Sequence, residues 1–373
     1  MLLICTSYLP KRNGTTLAIR SLAIQLQQHN RNVYVISRSK TNNTFWESIE
    51  GTTALRIGVG NRKYLSSLKY FFLCLLYLNM ITLRKSTIIM HAHGVLPGVI
   101  LMFNKLITRK PFVVTFHQLP PYTARLRLLT PLQKSICMFA NIVTIQSDSA
   151  RFVLVSRLGE ALRDKLITIP NTIDLSPYVS RISFDEAFRL KRILYVGEVS
   201  RYKGVHLLLS AFKEIVKNIP EASLYVVGKG TYLNNLKEWS RKLGISNSVN
   251  FLGELGQDGV VKAYDECSLV VLPSYYELFS TVLIEASIMK RPVVATSTVG
   301  ATSIIEHGVT GIIVKRGDAK AIADAVIQLL LNKEDAKRLS DAARERAIRL
   351  VDQERTIRQF LFCYDLLLSN REK

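Results

Sequence analysis

Glu277 and Glu285 stand with seven residues between them in PSYYELFSTVLIEASIMKRPVVAT, and their spacing carries the clearest chemical signal in the chain. Val270, Val271 and Leu272 read as a buried strand, Pro273-Ser274 breaks it, and an apolar helical pattern begins near Thr281. Glu277 therefore falls in the loop at a strand's carboxyl end, and Glu285 just over one turn into the following helix. In an open α/β sheet ligands bind at that edge, and a helix N-terminus there favours an anionic group such as a phosphate. Two solvated glutamates on a surface helix would show the same spacing. The Pro-Ser turn and the buried strand before it favour a site.

Further groups suited to an anionic ligand lie in YVGEVSRYKG (195–204), where Arg201 and Lys203 follow another strand. Arg and Lys neutralise an anionic ligand by charge-assisted hydrogen bonds. Glu198 in the same loop would repel phosphate, and the plain alternative for Lys203 is an exposed charge before a helix N-cap. His117 ends a strand in VVTFHQLP, a place where a histidine is often structural. His91 and His93 in HAHG have the spacing of metal ligands on one strand face, but no third ligand is suggested. The pair reads as loop structure, with Gly94 allowing the turn.

The run from Glu277 to Ala286 resembles the signature EGFGLVLLEAMA of the family 4 retaining glycosyltransferases, which have the GT-B fold. The resemblance implies that Glu277 lies against a donor sugar and Glu285 accepts hydrogen bonds from the ribose hydroxyls. The amides of Phe279, Ser280, Thr281 and Val282 would face the diphosphate, with Leu278 and Ser280 standing where the family has two glycines. Relatives read GRLxxxKG where this chain has Gly197 and Lys203 in place but Glu198 for the Arg; Arg201 is the candidate substitute, reaching back. By the same resemblance His117 lines the acceptor side, Gly14 belongs to a glycine loop near the donor phosphates, and Gly228 and Gly230 in VVGKG lie near the phosphates. Phe251 and Leu252 in VNFLG would meet the nucleotide base. Asn171 in IPNTID looks like the family's IPNGVD, a structural turn being equally consistent. No DxD motif precedes a sugar site, so no metal or other cofactor is implied, and the donor substrate would be a UDP- or GDP-sugar. The likeness is strong over residues 193–315 and thin over residues 1–170.

At 373 residues, two domains are expected. Strand and helix alternate from LLICTSYL to KLITIPN and again from RILYVG to GIIVK, the βαβ pattern of doubly wound sheets. The expected architecture is α/β: two Rossmann-like domains facing a cleft, over residues 1–172 and 192–352. Residues 173–191 read as a linker, and a last helix over 353–369 returns to the first domain. Five scattered cysteines without a CxxC pair suggest a reducing compartment and no zinc site. The N-terminus lacks signal-peptide character, and a cytoplasmic location follows.

The net charge of +21 is uneven: residues 1–146 hold 18 Lys and Arg against two acids, Glu47 and Glu50. Such a half faces a polyanion or is a solvated basic face. No nucleic-acid motif appears. Apolar companions such as those in RLRLLTPLQKSICMFA (125–140) point to an anionic membrane surface, so that the chain would be peripheral on the inner face. Residues 64–83 are long and apolar enough to span a bilayer, but the strand that follows belongs with the first strand in one sheet, and Lys69 and Asn79 interrupt the run. A helix lying against the sheet or in the headgroup plane fits better.

The expected activity is transfer of a hexose, with retention, from a nucleotide diphosphate sugar to a lipid-linked acceptor or cell-envelope glycan precursor. A catalytically weak nucleotide-sugar-binding or membrane scaffold protein, or another GT-B enzyme such as a sugar-nucleotide epimerase, are the alternatives.

Overall fold

A computed structural model describes residues 1–10, 14–60, 65–84, 88–117, 129–171 and 173–369. The chain divides into two compact units, Met1–Ile173 with Val351–Lys373, and Asp174–Leu350.

The first unit runs β1 (Leu2–Cys5), α1 (Gly14–Gln28), β2 (Tyr34–Ser39), β3 (Phe45–Ile49), β4 (Thr52–Gly58), α2 (Leu65–Arg84), β5 (Met90–His93), α3 (Val95–Thr108), β6 (Phe112–Thr115), α4 (Leu129–Phe139), β7 (Ile142–Ile145), α5 (Asp148–Leu158) and β8 (Leu166–Thr168). Its sheet has the order β3-β4-β2-β1-β5-β6-β7-β8, parallel except where β3 pairs antiparallel with β4. Every residue of β1, β5, β6 and β7 is buried, as strands covered by helices on both faces must be.

The β3–β4 hairpin was not visible in the strand-helix alternation. It closes through Glu50 and Gly51, both at positive φ (47° and 77°), the requirement of a tight two-residue turn. Phe45 and Trp46 on this edge strand are exposed, so no buried run marks it.

The second unit runs α6 (Phe184–Arg189), β9 (Arg192–Val196), α7 (Val205–Asn218), β10 (Ser223–Val227), α8 (Leu233–Lys242), β11 (Val249–Gly253), α9 (Gln257–Asp265), β12 (Leu269–Leu272), α10 (Thr281–Ile288), β13 (Val293–Thr296), α11 (Val299–Ile304), β14 (Ile312–Val314), α12 (Ala319–Leu331) and α13 (Lys333–Leu350). Its six-stranded sheet, β11-β10-β9-β12-β13-β14, is parallel. The segment read as a linker contains α6, started by a capping box in which Ser183 and Glu186 satisfy each other's backbone amides. Ala187 and Phe188 of that helix are buried; six residues are too few to show a helical period.

α14 (Gln353–Ser369) closes the chain in the first unit. Ile357, Phe360, Cys363, Tyr364 and Leu367 join the core built by β1 and α1. Their spacing of three and four is that of one helix face.

Candidate functional site

In the second unit the carboxyl edge of the sheet gathers most of the residues singled out above. The β9 loop brings Lys203, which sits at the end of a short 3-10 turn (Arg201–Lys203) capped by Gly204 in the left-handed region. The β12 loop brings Glu277, whose Oε1 receives Lys203 Nζ in an ion pair and the Ser274 hydroxyl at 3.1 Å. Both charged side chains are largely shielded, at 15% and 11% exposure, which strengthens their attraction over that of a surface pair. The Glu277 carbonyl accepts the Gly300 amide at 2.8 Å, joining this loop to the start of α11.

The two positions where glycines were expected take conformations open to ordinary residues. Leu278 is 3% exposed and fills the core beside Gly300, where a Cβ would come within 2.7 Å of the Leu278 carbonyl carbon. Ser280 is the N-cap of α10 at φ −113°, its hydroxyl accepting from the Leu283 amide. The amides of Thr281 and Val282 belong to the first turn, where helical N–H groups have no helical acceptor. Glu285 lies one turn in, 5% exposed, with Oε2 accepting the Tyr264 hydroxyl at 2.8 Å. Burial pushes its carboxyl above the ordinary value, against the opposing hydroxyls of Tyr264, Tyr178 and Thr281.

Neighbouring strand ends complete the edge. Gly228 has φ +137°, and a Cβ there would stand 1.8 Å from the Gly197 carbonyl oxygen; at Gly230 it would stand 2.0 Å from that of Val199. Only glycine permits this approach of two backbones. Phe251 and Leu252 lie on the edge strand β11. Glu198 is engaged: its Oε2 accepts the Tyr202 hydroxyl at 2.6 Å and its carbonyl that of Tyr195 at 2.8 Å. Arg201 is exposed, and its guanidinium makes no hydrogen bond or ion pair among the described residues, while its carbonyl accepts the Gly204 amide at 3.2 Å.

In the first unit His117 follows β6, and its Nε2 lies 3.0 Å from His93 Nδ1. Burial pushes His117 down to about 4. The Asn171 side chain lies close enough to favour the cation, but not in the geometry of a hydrogen bond to Nδ1. Gly14 is the first residue of α1. The reading of His91 and His93 as loop structure is corrected: both are buried on β5. His91 Nδ1 meets the Tyr364 hydroxyl of α14 at 2.8 Å and Nε2 meets Thr115 Oγ1 at 2.6 Å. Desolvation lowers His91 to about 3. The spacing along one strand was visible in sequence, but the partners come from β6 and α14, at separations no local pattern encodes.

The register shows a group the sequence reading passed over. His93 pairs with Thr115 and Thr115 with Thr144, so His117 and Gln146, two residues further on, are neighbours on the same face of the sheet. The rung below, Tyr364–His91–Thr115–Thr144, is joined by hydrogen bonds throughout. In the rung above, His93 Nε2, His117 Nδ1 and both polar atoms of Gln146 are buried without partners. A glutamine directly after the strand run IVTI was the available signal. Buried polar atoms without protein partners are places for bound water or a polar ligand. Among the described residues no group of three His, Cys, Asp or Glu side chains is placed to hold a metal. All five cysteines are buried thiols.

Residues 181–346 match the family described as Glycosyl transferases group 1, and residues 12–177 the Glycosyltransferase Family 4. The chain is 35% identical over 158 residues to the D-inositol 3-phosphate glycosyltransferase of Corynebacterium jeikeium, covering 40% of this chain and 38% of that protein. Across three curated relatives the match spans 38% to 67% of their own length. The fold is that of sucrose-phosphate synthase from Thermosynechococcus elongatus, with TM-score 0.86 and 21% identity over 99% of both chains. Anabaena HepE in complex with UDP-glucose superposes with TM-score 0.80 and 19% identity, again over 99% of both.

Proposed function

Because the chain belongs to the family 4 glycosyltransferases of the GT-B fold, we propose that it moves a hexose from a nucleotide diphosphate sugar to an acceptor, with retention. The observation that carries this reading is the Lys203–Glu277 pair beside the first turn of α10, with Glu285 buried in that helix. A cation, a row of amides and two carboxylates are what a diphosphate, a sugar and a ribose need from one sheet edge. Binding of UDP-glucose by HepE supports the donor class.

In the proposed reaction the acceptor hydroxyl oxygen attacks the anomeric carbon on the face from which the diphosphate departs. The bond from that carbon to the phosphate oxygen breaks, and the hydroxyl proton passes to the leaving phosphate. Front-face attack without a covalent intermediate is the reading that fits a sequence in which no carboxylate can be assigned as a double-displacement nucleophile. Lys203 and the amides of Thr281 and Val282 hold the developing negative charge. Glu277 orients the sugar, Glu285 the ribose, and His117, neutral at physiological pH, lines the acceptor side. The site asks for no metal. The acceptor is lipid-linked or a cell-envelope glycan precursor, reached at an anionic membrane surface.

Thermal shift against UDP- and GDP-sugars, followed by release of the free nucleotide, tests the reading. Stabilisation by one nucleotide class and turnover of its sugar are expected. Binding without turnover for any acceptor fraction would favour a nucleotide-sugar-binding scaffold, and interconversion of donors without acceptor would favour an epimerase.

A further inference from the structure

The helix α2 is apolar on both sides, and only one side is covered. Ser66, Tyr70, Cys74, Leu78 and Thr82, every fourth residue, face the first unit's interior. That side is anchored: the Tyr70 hydroxyl donates to the Cys5 carbonyl at 2.8 Å, and Asn104 of α3 donates to Asn79 at 2.7 Å. The opposite side presents Leu65, Leu68, Phe72, Leu76, Met80 and Leu83, each 48% to 68% exposed. A helix at the surface of a domain puts polar residues there. Single exposed apolar side chains are ordinary, but six in a row on one helix face are not. The face continues onto α3, whose Phe103, Leu106 and Ile107 are also exposed and whose Phe103 ring meets Phe71 of α2 edge-on at 5.4 Å.

Charge decides between the partners that could cover this face. α2, α3 and α4 carry Lys69, Arg84, Lys105 and Lys134 and no acidic residue. A second copy of the chain would bring like charges together around the apolar contact. An anionic bilayer meets both requirements: its acyl boundary takes the apolar stripe and its headgroups take the ammonium and guanidinium groups. Spanning is opposed by the anchored side and by connectivity, since α2 joins β4 to β5 within one sheet.

We propose that the outer faces of α2 and α3 form the surface by which the first unit docks on anionic lipid, with Phe72 and Leu76 entering the headgroup boundary. This deepens the membrane part of the function proposed above and does not depend on the donor chemistry. The test is flotation of the whole chain with phosphatidylcholine vesicles and with vesicles containing about 30% phosphatidylglycerol. Wild type binds the anionic vesicles at least about tenfold more tightly than the neutral ones. The double variant Phe72→Gln, Leu76→Gln loses about tenfold or more in vesicle affinity, the expected loss when two half-exposed apolar side chains no longer enter the boundary. Its melting temperature stays at the wild-type value because both positions already face outward. Leu331→Gln, equally exposed on the second unit, leaves binding unchanged. Wild-type affinity in the double variant, or no vesicle binding by wild type, overturns the proposal. So does retention after alkaline carbonate washing, which would mean a spanning helix. Self-association abolished by the double variant, without vesicle binding, would assign the face to a second copy instead. Nucleotide release, measured without vesicles, reports on the donor reading separately.

Discussion

Lys203 and Glu277 neutralise each other, so a diphosphate arriving at the same edge competes with a carboxylate for one ammonium group. Glu277→Gln keeps the shape of the side chain and frees Lys203. UDP affinity, read by calorimetry, should hold or rise while turnover falls tenfold or more; parallel losses in both would contradict the sugar-orienting role. Lys203→Ala and Arg201→Ala should each lower kcat/KM by about 2 kcal/mol if the exposed Arg201 closes on the diphosphate. A silent Arg201→Ala leaves the charge to Lys203 and the amides. Glu285→Ala should weaken donor binding by about 1–3 kcal/mol, the cost of leaving ligand hydroxyls unpaired. The buried histidines set a pH dependence of their own. His91 and His117 titrate near 3 and 4 in the folded chain, against 6.5 when unfolded. The unfolded chain therefore takes up protons that the folded chain refuses. Stability is complete above pH 6.5 and falls as pH drops from 6.5 toward 4, by about 1.4 kcal/mol per pH unit for each histidine. Urea midpoints measured at pH 7.5, 6 and 5 should show this decline, and His91→Gln should make it shallower. An unchanged slope would mean His91 is protonated in the fold.

The elements differ in how far their sequence announces them. Leu269–Leu272 and Val293–Thr296 are uninterrupted apolar runs because parallel strands are covered on both faces, and they were readable with the loops that end them. That is why the sequence alone places Glu277 at a strand's carboxyl end and Glu285 in the next helix. The β3–β4 hairpin, α6, α9 and α11 escaped: the first exposes its aromatics, and the three helices, six to nine residues long, lack the dense apolar run that marks the equally short α10. The Lys203–Glu277 pair and the His93–His117–Gln146 rung escaped for a different reason. Each joins residues from strands adjacent in the sheet but distant in the chain, and that order is set by topology. Glycine positions were legible as glycines, but their necessity was not. Gly228→Ala places a methyl group 1.8 Å from the Gly197 carbonyl at φ +137°. It should lower the stability of the second unit by about 1–3 kcal/mol and displace the β9 loop that carries Lys203. Differential scanning calorimetry and UDP binding should both register the change; a variant with wild-type values would show that the loops part at little cost.

The chain as a whole joins two cores of similar design with very different charge. Residues 1–146 contain 18 basic and two acidic residues, while the remainder is nearly balanced, with 32 basic and 27 acidic. Charge does not build a fold; it selects what a surface meets. Here the basic excess lies in the unit that also leaves apolar helix faces exposed on α2 and α3, so two separable forces act on the same unit. Attraction of Lys and Arg to anionic lipid, on the order of 1 kcal/mol for each residue that reaches the surface, is screened as the Debye length shrinks from about 10 Å at 0.1 M salt to about 3 Å at 1 M. Entry of Leu and Phe side chains is not. Flotation across a NaCl series should therefore show a bound fraction that falls and then levels. Lys69→Gln with Lys134→Gln should lower the salt-sensitive part, and Phe72→Gln with Leu76→Gln should remove the plateau. If either pair of substitutions abolished both parts equally, charge and apolar contact would not be independent, and docking would have to be a single cooperative event in which the helix face opens only after the charges engage.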